Sequence, residues 1–328
     1  MRNFSGRKNS IVGRDDSTMQ ALELSREYFN STALPSLREC FPELNGRLAA
    51  GLVGNGSECF GYDDEISRDH DWGVDFFVWL SEADAALIPR LAEWKAELLE
   101  AQPPLYPRTR SEYGAHVGIE TTGGFYRSLI GIEKCPVELN EWLRVPEENL
   151  AMVVNGEIFI DETGAFTQIR RSLLEYYPEA LRIKRISSSC MTIAQSGQYN
   201  FSRNLKRGDT VSGRNALVMW SDAVIRLVFL LNKRYRPYYK WRFRMMGELS
   251  LLGAEISPSL RRISELSLPD GAAEAVEIIE NVCTKLAETL RSLGLSDSFD
   301  DFFVAHGESV REKITDTRLR DLPGQYDI

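Results

Sequence analysis

Apolar and polar positions recur along the chain with two different periods, and the change from one to the other divides it. From Met19 to about Cys40, Leu22, Leu24, Tyr28 and Phe29 predict a helix, broken near Pro35 and followed by a shorter one. Leu48–Val53 is small and apolar and predicts a short strand, and Val74–Leu80 predicts a second, strongly apolar one. Between Glu82 and Glu100, Leu87, Leu91, Trp94, Leu98 and Leu99 fall at helical spacing with Ser81 placed as N-cap, until Pro103, Pro104 and Pro107 impose a loop. His116–Glu120 predicts a further strand stopped by Gly123-Gly124, Glu138–Leu143 a helix, and Leu150–Asp161 a hairpin turning at Asn155-Gly156.

Near Gly164 the strand signals vanish. Phe166–Tyr176, Glu179–Leu205 and Thr210–Arg234 predict helices, Pro237 interrupts, and three amphipathic segments follow between Leu260 and Leu319, punctuated by Pro269-Asp270-Gly271 and Gly294. The pattern predicts an α+β fold: a mixed sheet with flanking helices, then a C-terminal helical bundle. Residues 1–18 read as a mobile tail, 19–164 as the domain that holds the sheet, 165–318 as the helical domain and 319–328 as a frayed end.

Composition narrows the function classes. The 328 residues carry a formal charge of −9, which argues against broad nucleic-acid binding, since that needs a basic face to displace counterions. No apolar run approaches membrane-spanning length, so no membrane partner is expected. Five scattered cysteines without C-x-x-C spacing read as reduced thiols and predict a cytoplasmic setting. Three histidines form no zinc-like cluster.

The chemistry concentrates in Gly54–Leu80, GNGSECFGYDDEISRDHDWGVDFFVWL. Asp69-His70-Asp71 runs straight into the second predicted strand, so alternation projects Asp69 and Asp71 from one side and His70 and Trp72 from the other. Paired carboxylates repel unless protonated or bridged by a cation, and an oxygen-only set suits magnesium. A turn through Gly56-Ser57 can bring backbone N–H groups and a hydroxyl to an anion. A phosphate cradle beside a metal-holding pair is the apparatus of phosphoryl or nucleotidyl transfer. The plainer alternatives are a solvated strand end and a common glycine turn; the spacing between the two features favours the sharper reading. Asp63, Asp64 and Glu65 read as a solvated loop in which Asp64 has a second use, capping a helix or meeting an acceptor, and His70 and Trp72 read as packing residues.

Gly56-Ser57, eleven residues, and Asp69-x-Asp71 ahead of an apolar strand resemble the core motif of the polymerase-β-type nucleotidyltransferase superfamily. The longer string from Gly56-Ser57-Glu58 through Gly61-Tyr62-Asp63-Asp64 to Ser67-Arg68-Asp69-His70-Asp71-Trp72-Gly73 resembles a narrower group, the DUF4037 family. Trp142-Leu143, Gly156–Asp161, Tyr176-Tyr177-Pro178, Phe229–Asn232 and Arg236–Trp241 are similar to that group as well. The resemblance implies a nucleotidyltransferase-like sheet, Ser57 against the nucleotide phosphates, and Asp69 and Asp71 as ligands of two magnesium ions, with manganese as the alternative. It also implies a third acidic residue. Glu120 is the first candidate because it ends the next predicted strand, with Asp161 and Glu138 behind it.

The helical half offers a basic and aromatic group: Asn232, Lys233, Arg234, Arg236, Lys240, Arg242 and Arg244 beside Tyr235, Tyr238, Tyr239 and Trp241. A helix C-terminus attracts cations in any case. The functional reading puts Lys233 or Lys240 on the β/γ-phosphates and Tyr235 on the base, with Arg203, Lys206 and Arg207 as a second basic group. The expected protein is a magnesium-dependent enzyme that moves a nucleoside monophosphate from a triphosphate to a small-molecule hydroxyl. Rivals are a protein AMP-transferase of toxin–antitoxin type, an inactive nucleotide-binding sensor and a metal-dependent phosphohydrolase.

Overall fold

The computed structural model describes residues 20–68, 71–108 and 117–322. The expected tail 1–18, together with Asp69, His70 and His116, lies outside the described residues. The chain divides into two compact units, Met1–Phe125 with Asn155–Thr167, and Tyr126–Val154 with Gln168–Ile328.

The first unit begins with α1 (Ala21–Tyr28), which widens into a π-helical turn at Phe29–Ala33 and continues as α2 (Leu34–Cys40). Pro35, which has no N–H to donate, falls at the start of α2, directly after the π-helical turn. The expected break is therefore a change of winding.

Strands β1 (Ala49–Leu52), β2 (Phe77–Leu80), β3 (Ile119–Thr121) and β4 (Glu157–Asp161) form one mixed sheet in the order β3-β2-β1-β4. β1 is antiparallel to both neighbours, and β2 runs parallel to β3. One face carries Ala50, Val78 and Ile119 onto a core of Phe29 from the π-helical turn, Leu37 of α2, Phe41 just after it, and Leu91 and Trp94 of α3 (Ile88–Ala101). On the other face Trp79 stacks on Phe166 at 3.9 Å and meets Phe125 edge-on. β1 and β2 are buried on both sides, which is why they read as continuous apolar runs.

β2 starts at Phe77, three residues later than the apolar run at Val74 suggests. The cause is a pair of side chains. Asp75 Oδ1 accepts the Phe76 N–H at 2.8 Å and Lys95 Nζ donates to the Phe76 carbonyl at 2.6 Å, so both backbone groups are satisfied without a strand neighbour. Ser81 likewise donates to Asp84 and caps no backbone N–H; a 3₁₀ segment, Glu82–Leu87, precedes α3.

The predicted hairpin is half correct. Glu157–Asp161 is β4, paired with β1, but Leu150–Val153 belongs to helix α6 (Glu147–Val153), which follows α5 (Leu139–Arg144). Pro146 at the N-cap and Glu147 and Glu148 in the first turn start that helix against the β propensity of its valines. Gly123-Gly124, expected only to end a strand, opens α4 (Thr122–Ile130), with Thr121 Oγ1 accepting the Gly124 N–H at 2.9 Å.

In the second unit α7 (Ala165–Leu174), which starts in the first, leads to α8 (Glu179–Ile193). A π-helical stretch, Ala194–Phe201, and α9 (Ser202–Lys206) precede α10 (Thr210–Leu231). α11 (Tyr239–Gly247), α12 (Gly253–Glu265), α13 (Ala272–Ser292), α14 (Phe303–Glu312) and α15 (Thr317–Arg320) complete the chain of helices. α8 is the buried centre, packed on α10 and α14. Leu319, placed in the expected frayed end, is buried on α15. Among the described residues no helix is long and apolar enough to cross a membrane.

Candidate functional site

The turn after β1 is held from three directions. Gly54 and Gly56 adopt φ of +121° and +144°, a region that disfavours any side chain. Asn155 clamps Gly54, accepting its N–H at 2.8 Å and donating to its carbonyl at 2.7 Å. Gly156 donates to the Cys59 carbonyl at 2.7 Å. A Cβ on Gly56 would stand 2.5 Å from both carboxylate oxygens of Glu58, so that carboxylate lies directly against the turn. Glu58 is 1% exposed and pairs with Arg108 at 2.8 Å. Burial raises the Glu58 pKa, with the Arg108 charge acting in the opposite direction.

The acidic run after the turn is structural. Asp63 Oδ2 accepts the Ala21 N–H at 2.8 Å, capping α1, and the Trp72 indole N–H at 2.9 Å. Asp64 accepts the N–H and hydroxyl of Ser67, each at 3.0 Å. Trp72 is buried, as expected of a packing residue, with the Arg68 guanidinium over its ring at 4.5 Å.

Asp71 is half-buried in a bend with φ +53°, six residues before β2 begins, so strand alternation does not govern its direction. Asp69 lies outside the described residues. Gly73 packs against the next segment, where a Cβ would stand 2.8 Å from Arg108 Cα, and the Val74 N–H reaches the Tyr106 carbonyl at 2.7 Å. Because Gly51 on β1 opposes Phe77 on β2, the glycine turn and the segment 71–76 leave the sheet at the same end. Arg108 joins the two, through its side chain to Glu58 and its backbone to Gly73. Nothing local marks Arg108 in the proline-rich loop. The available signal was Glu58, a carboxylate following the turn directly and needing a cation once buried.

Glu120 stands on β3 opposite Trp79, two residues further from that sheet end than Phe77, about 7 Å along the strand. It is half-buried, no described residue hydrogen-bonds its carboxylate, and desolvation pushes its pKa up to about 7. The two alternatives are occupied. Asp161 accepts the N–H groups of Gly164 and Thr167 at the start of α7, and Glu138 is the N-cap of a capping box with Glu141 on α5. Among the described residues no group of three His, Cys, Asp or Glu side chains gathers to hold a metal.

The basic group of the second unit is largely matched by acids distant in sequence. Arg236 pairs with Glu147 at 3.3 Å and Asp222 at 3.0 Å, and Arg242 with Asp222 at 3.1 Å. Tyr235 is 5% exposed, enclosed by Tyr176 and Tyr177, and donates its hydroxyl to the Leu173 carbonyl at 2.7 Å. Its ring is a packing surface and offers no face for a base. Lys233, at φ +50°, and Lys240, 4.9 Å over the Trp241 ring, are exposed. Arg203 lies over Tyr199 and donates to its hydroxyl.

Residues 142–242 match the family model described as "Domain of unknown function (DUF4037)", the group that the sequence motifs resemble. The matched stretch follows the Gly54–Leu80 motif and does not contain it. Among solved structures, a nucleotidyltransferase-like protein from Exiguobacterium sibiricum 255-15 is similar at 13% identity and a TM-score of 0.35, over 79% of this chain and 78% of that one. No curated protein matches the chain.

Proposed function

We propose that this chain, a DUF4037 match over residues 142–242, is a magnesium-dependent nucleotidyltransferase that passes a nucleoside monophosphate from a triphosphate to a small-molecule hydroxyl in the cytoplasm, releasing pyrophosphate. The observation that carries this reading is the conjunction at one sheet end of a rigidly clamped glycine turn and the Asp71 segment. In this reading the turn's backbone N–H groups and the Ser57 hydroxyl bind the phosphates, and glycine at 54 and 56 lets them approach closely. Asp71, with Asp69, supplies the hard oxygen donors that suit magnesium, which takes its remaining ligands from substrate phosphates and water. When bound, the ion would offset phosphate charge and acidify the attacking hydroxyl.

Glu120 is assigned the proton from the acceptor hydroxyl, a task suited to a carboxylate with a pKa of about 7. A base must be ionised to act, so activity is expected to rise with pH through about 7. Glu120→Gln should lower the rate and remove that limb of the pH–rate profile. An unchanged profile takes the role from Glu120.

The reading as a whole is tested by incubating the protein with magnesium, each nucleoside triphosphate and a small-molecule cell extract, and measuring pyrophosphate. Release that depends on extract is expected. Nucleotide binding without pyrophosphate replaces the enzyme with a sensor, and orthophosphate in its place indicates a phosphohydrolase.

A further inference from the structure

The Arg108 side chain is only 4% exposed, yet a single described contact, Nη1 to Glu58 Oε1 at 2.8 Å, engages its guanidinium. Among the described residues, its Nε and Nη2 are buried without any hydrogen-bond acceptor. These two nitrogens form one edge of the planar guanidinium, with two parallel N–H vectors, the geometry that grips a phosphate or carboxylate bidentately. A buried donor left unmade is costly, and two on one edge of a charged group more so. The far side of the same guanidinium is fixed by Glu58, whose carboxylate lies against Gly56. The open edge is thus held one carboxylate away from the glycine turn, at a set orientation. Glu58 matches the charge of Arg108 in the resting protein and leaves the edge free for a second anion.

We propose that Arg108 is a phosphate-binding residue, its Nε/Nη2 edge receiving two oxygens of a polyphosphate seated on the Gly54–Ser57 turn. The choice of a polyphosphate as the anion rests on the transferase reading above; the anion site itself rests on the buried fork. Glu58 acts as the positioning residue, keeping the guanidinium from swinging away when the ligand leaves. Among the described residues, Glu58 is the acidic side chain that pairs with the guanidinium.

The test is calorimetric titration of the full chain with inorganic tripolyphosphate and with ATP plus magnesium. Arg108→Lys keeps a cation facing Glu58 and removes the fork, because an ammonium is a point charge. It is expected to weaken tripolyphosphate binding at least tenfold and ATP binding comparably, with the melting temperature within a few degrees of the parent. Should Arg108→Lys fail to fold, the neutral pair Glu58→Gln with Arg108→Gln replaces it, with the same loss expected. A purely structural Arg108 would lower the melting temperature and leave the affinity of the folded protein unchanged, which overturns the proposal while the transferase reading stands. If the parent binds neither tripolyphosphate nor ATP, the transferase reading falls and the polyphosphate assignment falls with it.

Discussion

Asp71→Asn is expected to cut pyrophosphate release by about a thousandfold or more, because a lost metal ligand costs several kcal/mol of transition-state stabilisation. The substitution is well chosen for this backbone. Asp71 sits at φ +53°, a left-handed conformation that asparagine tolerates at least as well as aspartate. Alanine there would add a backbone penalty of about 1–2 kcal/mol and confuse a folding defect with a chemical one. Asparagine keeps the shape and removes the charge a divalent ion requires. Pyrophosphate release and thermal unfolding measured on the same preparation separate the two effects, and a variant that retains parental turnover removes Asp71 from the mechanism.

Lys95→Met is expected to destabilise the first unit by about 3–5 kcal/mol, the usual cost of stripping one partner from a buried ion pair. Lys95 Nζ lies 2.5 Å from Asp75 Oδ1, with the two side chains 7% and 3% exposed. The ammonium also donates to the Phe76 carbonyl at 2.6 Å and sits 4.7 Å over the Phe76 ring. Methionine fills the same volume and leaves Asp75 charged in an apolar interior. Combining it with Asp75→Asn should recover much of the loss, since the stranded charge is then gone while an oxygen remains for the Phe76 N–H. Urea unfolding of the parent, the single variant and the double variant measures this. A single variant within about 0.5 kcal/mol of the parent, the size of an ordinary surface change, refutes it.

The same pair explains where sequence reading succeeds and where it stops. Apolar runs such as Val74–Leu80 and the helical spacing of Thr210–Arg234 are local, and each yields its element, although β2 starts only at Phe77 and α10 ends at Leu231. The start of β2 depends on Lys95, twenty residues from Asp75, reaching back to Phe76, and no window around Val74 contains that information. Leu150–Val153 carries strand-like side chains and is helical because Pro146 and two glutamates set its first turn. At the candidate site the glycine turn and Asp71 were legible as a spacing. Glu58 and Arg108, fifty residues apart, became a pair only when the proline-rich loop folded beside Gly73. The basic cluster looked unopposed for the same reason, its acids Glu147 and Asp222 being supplied by other helices.

The first unit is not one continuous piece of chain, and this limits how the protein can be cut. Residues 126–154 leave it and return, carrying α5 and α6, so that Trp142 rests on Tyr177 from a much later part of the sequence. A fragment ended at Gly164 would take Trp142 away from that ring, and a fragment begun there would leave the ring bare. Neither half is a natural module, and recombination at the glycine where the sequence pattern changes would break an aromatic core while sparing every residue of the proposed catalytic turn.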